Sequence, residues 1–66
     1  MIKYYLVSPT GYEYWFVAGI PGYQKYVEVS NKDGYREMIT IYEARIAWEK
    51  LIAYDFRFVK TEKLPV

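Results

Sequence analysis

Neither cysteine nor histidine occurs in this chain of 66 residues, and that absence constrains its fold more than any residue present. Disulfides cannot form, and a structural zinc site has no Cys or His to build it. A domain this small buries only about 60% of the surface that its unfolded form exposes, so it needs a further source of stability. Two sources remain: a dense aromatic core, or association with a second copy. The composition suits both. Aromatic residues make up 21% of the chain, as nine Tyr, three Phe and two Trp. Each ring can bury about 150–250 Å², more than one small two-layer domain can place inside, so some rings must face outward.

Turn chemistry divides the first half of the chain into strands. Residues 2–7 are apolar, aromatic and β-branched, and Ser8, Pro9, Thr10 and Gly11 form a turn after them. Residues 12–18 return as the second strand of a hairpin. Pro21 and Gly22 suit the central positions of a type II turn. Residues 23–30 follow as a third strand, with Lys25, Val27 and Val29 on one side and Tyr26, Glu28 and Ser30 on the other. Asn31 to Gly34 carry the strongest turn signal, and Tyr35 to Ile39 read as a short fourth strand.

Thr40 and Glu43 have the spacing of a capping box, in which each side chain satisfies the other's backbone N–H, with Ile39 and Ala44 placed as a hydrophobic staple. No Gly or Pro interrupts residues 41–54, which therefore read as helix, with Asp55 at its end. Residues 56–60 read as a last strand, and 61–66 as a frayed tail. At about 100° per residue, Ile41, Ala44, Trp48, Leu51 and Ile52 share the arc expected to pack on the sheet. Arg45 lies at its edge, where its stem can cover apolar surface.

The resulting expectation is one α+β domain spanning residues 1–66. It has an antiparallel sheet of four or five strands with the helix across one face, in the order β-β-β-β-α-β. The expected core is Leu6, Trp15, Val17, Val27, Val29, Ile39, Ile41, Ala44, Trp48, Leu51 and Phe58. The second strand is ambiguous, because Tyr12, Tyr14 and Phe16 form one apolar set and Trp15 and Val17 the other. If the Phe16 set is buried, Trp15 becomes an interface candidate.

The side chains that usually carry catalysis are missing. There is no His for acid–base work and no Cys nucleophile, and Ser8 and Ser30 have no His base. Glu37 with Glu43, and Glu49 with Asp55, read as solvated surface rather than as a two-carboxylate site. Gly19 and Gly22 do not match a phosphate loop. The reading is a non-enzyme with no cofactor and no metal. Nine basic and eight acidic residues are interspersed, for a net charge of +1, which disfavours strong nucleic-acid binding. No apolar run approaches the length of a membrane span. The first residues, Met1 to Tyr5, lack a secretory leader pattern, so a cytoplasmic protein is expected.

The segment from Thr40 through Phe56 and Val59 resembles the C-terminal helix and strand of small uncharacterised proteins of marine cyanobacteria and their phages. The residues that carry the likeness are Glu43, Ala44, Arg45, Trp48, Leu51 and Phe56. The family pattern usually has Gly before the aromatic, where this chain has Asp55. The resemblance covers under half of the chain. It implies a small accessory protein of viral or bacterial type and no chemistry to carry over.

Three modes of binding follow. A second helix arc of Tyr42, Ile46 and Ala53, flanked by Glu49, is more apolar than a one-faced helix needs. It makes these four residues the candidate protein-binding site, on a module that binds and modulates a larger host protein, in the host cytoplasm if the chain is viral. The same arc, or an edge strand, can instead support a homodimer. As the alternative from a different class, Tyr5, Tyr12, Tyr14, Tyr26 and Arg57, with Lys3 and Lys25 nearby, can form a stacking face for single-stranded nucleic acid.

Overall fold

The computed structural model describes residues 1–65. Its elements run β1 (Ile2–Val7), β2 (Glu13–Ala18), β3 (Tyr26–Asn31), β4 (Arg36–Thr40), α1 (Ile41–Ala53) and β5 (Arg57–Lys63). The strands form one antiparallel sheet in the order β4-β3-β2-β1-β5. The first four strands are therefore a meander. The helix leaves from one edge of the sheet and returns the chain to the other.

Local chemistry sets these elements. The N–H of Tyr23 donates to the Ile20 carbonyl at 2.9 Å, and Gly22 takes φ 80°, as a type II turn at Pro21-Gly22 requires. That turn and its continuation occupy residues 23–25, so β3 starts at Tyr26 rather than at Tyr23. In the next turn the Asn31 side chain accepts from the N–H groups of Asp33 and Tyr35. The capping box forms: Thr40 Oγ1 accepts from Glu43 N–H, and the Glu43 carboxylate accepts from Thr40 N–H. The Thr40 N–H, and after it the Thr40 hydroxyl, which also donates to this carboxylate at 3.0 Å, hold Glu43 below the ordinary carboxylate pKa.

The helix ends at Tyr54, followed by Asp55 at φ 69°. Phe56 N–H donates to Leu51 C=O and Asp55 N–H to Ile52 C=O, both at 3.0 Å. This is the paired bonding of a Schellman motif.

Cross-strand partners lie on the same face of a sheet. Leu6 opposes Tyr14, Tyr4 opposes Phe16, Phe16 opposes Val29 and Val27 opposes Ile39. These residues meet α1, and the buried cluster is Leu6, Phe16, Val27, Val29 and Ala44, with Ala47, Trp48, Leu51 and Phe56 packed against it. Two aromatic groups brace this layer. Trp48 stands 5.3 Å from Phe16, 5.9 Å from Phe58 and 6.2 Å from Tyr4, ring to ring. Phe56 stands 5.6 Å from Tyr14 and 6.4 Å from Tyr12. Such pairs contribute about 0.5–1.5 kcal/mol each beyond their buried area.

Five expectations are corrected. Phe16 is buried and Trp15 is not a core residue: it lies on the face without a helix, paired with Tyr5 and Ser30. Val17 is buried, but on that same outer face, between Lys3 and Glu28. Ile41 and Ile52 remain 47% and 43% exposed, because the small side chains of Ala44 and Ala47 take the contact line to the sheet. Phe58 is half exposed. Residues 61–63 are not frayed, since Thr61, Glu62 and Lys63 pair with Tyr4, Lys3 and Ile2. The last residue of the expected tail, Val66, lies outside the described residues.

Candidate protein-interaction surface

A five-stranded sheet measures about 19 Å between its outer strand axes, whereas a helix is about 10 Å across. One helix therefore cannot cover one face. Here α1 packs chiefly on β3 and β4, and the same face over β1 and β5 is left without a second helix. The result is an apolar groove of about 460 Å³ beside the first half of α1. Tyr4, Phe16, Ala18, Val27 and Phe58 form its floor, and Ile41, Ala44, Arg45, Trp48 and Glu49 its helical wall. Ile2, 40% exposed, extends the apolar surface next to Ala18.

A β-bulge positions part of this floor. Tyr5 pairs with Lys60 and Leu6 with Phe58, so Val59 is an extra residue in β5. Period-two alternation would otherwise place Phe58 and Lys60 on one face. The bulge sends Phe58 to the helix side and Lys60 to the other.

The candidate residues of the second helix arc stay outside. Tyr42 is 73% exposed and Ile46 38%, and Glu49 and Ala53 are exposed as well. Glu49 belongs both to this arc and to the groove wall, so arc and groove are one continuous surface. Phe58 and the groove floor were missed at the sequence level. Their signal is an arithmetic one, a single helix on five strands.

The candidate stacking residues do not share a face. Tyr14 is on the helix side, and Tyr12 packs on Tyr14 and Phe56. The Tyr12 hydroxyl donates to Asp33 at 2.6 Å, which pushes its pKa up to about 12. Tyr5, Tyr26 and Arg57 are on the outer face, but Tyr26 stands beyond the end of β2, against Tyr23. What the outer face does assemble is a strip of Tyr5, Trp15, Lys3 and Lys60. The Lys3 ammonium sits 4.6 Å from the Trp15 ring and 5.0 Å from Tyr5, and Lys60 is 4.6 Å from Tyr5. Carboxylates border the strip. Glu62 accepts the Tyr5 hydroxyl at 2.7 Å and thereby raises the Tyr5 pKa, and Glu13 accepts the Trp15 indole N–H at 3.0 Å.

Among the described residues no group of three or more Asp or Glu is placed to hold a metal ion. Of the carboxylate pairs, Glu37 accepts the Tyr35 hydroxyl and Glu43 is spent in the capping box, while Glu49 lines the groove without Asp55. No helix among the described residues is long and apolar enough to cross a membrane. No protein-family model, curated protein or solved structure matches the chain.

Proposed function

We propose that this chain is a small non-catalytic protein-interaction module whose docking surface is the helix side of the sheet. The observation that carries this reading is the apolar groove over Tyr4, Phe16, Ala18, Val27 and Phe58, continuous with the exposed arc of Tyr42 and Ile46. Exposed apolar surface of this kind, rimmed by charges such as Arg45 and Glu49, is the usual mark of an interaction site. Tyr and Trp are the residues most often found at the energetic centre of such sites. The likeness of the helix and last strand to cyanobacterial and phage proteins supports an accessory role, one that binds and modulates a larger host protein in the cytoplasm.

A second reading rests on the outer face, where two ammonium groups and two rings alternate. Bases can stack on such rings while lysines meet phosphates. The carboxylates of Glu13 and Glu62 beside the rings weigh against it. The experiment is affinity purification of the tagged chain from its native cell extract, with and without nuclease, for the wild type and for Tyr42→Asp with Ile46→Asp. A stoichiometric protein that survives nuclease and is lost in the double variant is the expected result. Material lost on nuclease treatment and indifferent to the double variant would favour the outer face instead.

A further inference from the structure

Resting on the reading that the helix side is the interaction surface, we infer that the occupant of the groove in the absence of a host protein is helix α1 of a second copy of this chain. A helix laid along the groove beside Trp48 must be apolar on two opposite sides, one for its own sheet and one for the sheet it visits. Helix α1 is such a helix. Ala44 and Leu51 face its own sheet. Tyr42, Ile46 and Ala53 lie about 180° round the axis from them and are exposed. The arc is thus placed to cover the floor of Tyr4, Ala18 and Phe58 in another molecule.

The arrangement is reciprocal, as a two-fold dimer demands. Each copy keeps α1 on its own sheet and lays its outer arc over the bare half of the other, so both helices share one layer between two sheets. The axis that exchanges the sheets and keeps the helices in that layer runs along the helices. They therefore come out parallel, with like positions side by side. Ile41, Arg45, Trp48 and Ile52, spaced four, three and four residues apart, form the seam, the spacing of a coiled-coil stripe. Arg45 of one copy reaches Glu49 of the other one turn further on. At a net charge of +1 two copies repel only weakly. Two helices side by side, each about 20 Å long and about 10 Å wide, present a patch of about 400 Å² per copy, the size of a weak, reversible pair. Self-association is therefore to be sought from micromolar to millimolar concentrations.

The test is sedimentation equilibrium across that concentration range, joined to cysteine cross-linking, which the absence of native Cys makes unambiguous. The expected mass rises from 7.9 kDa to twice that value. Ile41→Cys should form a disulfide dimer under mild oxidation, and Met38→Cys, exposed on the outer face, should not. Tyr42→Asp with Ile46→Asp should weaken self-association by about 100-fold while circular dichroism stays that of the wild type. A dimer that survives the double variant, or that cross-links through Met38→Cys and not Ile41→Cys, overturns the inference. So does a single-chain mass at every concentration. In that last case, a captured protein that is still lost in the double variant leaves the interaction surface standing, and one that is retained removes both.

Discussion

The backbone N–H of Phe56 donates to the carbonyl of Leu51 at 3.0 Å, and the residue that must bend to let it do so is Asp55 at φ 69°. This bond closes the helix and delivers Phe56 onto Tyr14 at the end of the core. An L-residue in the left-handed region carries a steric cost that glycine escapes. Asp55→Gly should raise the unfolding free energy by about 0.5–1 kcal/mol, read as a higher urea midpoint at unchanged slope. A lower midpoint would mean that the Asp55 side chain stabilises the turn in a way the backbone geometry does not express.

Phe16 and Trp15 are neighbours in β2 with opposite fates. Phe16 is 3% exposed against Trp48, while Trp15 shares the outer face with Tyr5 and Lys3. Phe16→Ala should cost about 3–5 kcal/mol, enough to leave a domain of this size largely unfolded at room temperature. Trp15→Ala should cost less, about 1.5–3 kcal/mol, for the part-buried ring, its pairing with Tyr5 and the Lys3 ammonium over it. Thermal unfolding of the two variants separates them, and equal losses would mean that the faces of β2 are reversed.

The hydroxyl of Tyr12 is tied to Asp33, and its pKa of about 12 is set first by that hydrogen bond. The Tyr5 and Tyr35 hydroxyls, bonded to Glu62 and Glu37, are raised for the same reason. A folded-state pKa above the unfolded value of 10.0 means that the native state holds its proton longer. Stability from this group is therefore complete below pH 10 and is lost as pH rises toward 12. Ultraviolet titration should show late-ionising phenols, and Asp33→Asn should move one of them back toward the ordinary range. A titration unchanged by Asp33→Asn would place the high pKa elsewhere.

Residue types and their spacing determined much of this protein on their own. The Pro21-Gly22 turn, the Thr40 and Glu43 box, the helix after it and the order of elements are all local matters, settled by which φ a residue tolerates and which backbone N–H a nearby side chain can reach. So was the prospect of a second apolar helix arc at Tyr42 and Ile46. Tertiary structure alone decided the faces. Tyr14 and Phe16, or Trp15 and Val17, satisfy period two equally well, and the choice depends on which set a distant helix shields from water. The extra residue Val59, which turns Phe58 inward and Lys60 outward, follows from pairing with β1, some fifty residues away in sequence. The groove has no local signature either. It exists because β5 adds a fifth strand beside β1 while the chain has one helix to lay across them.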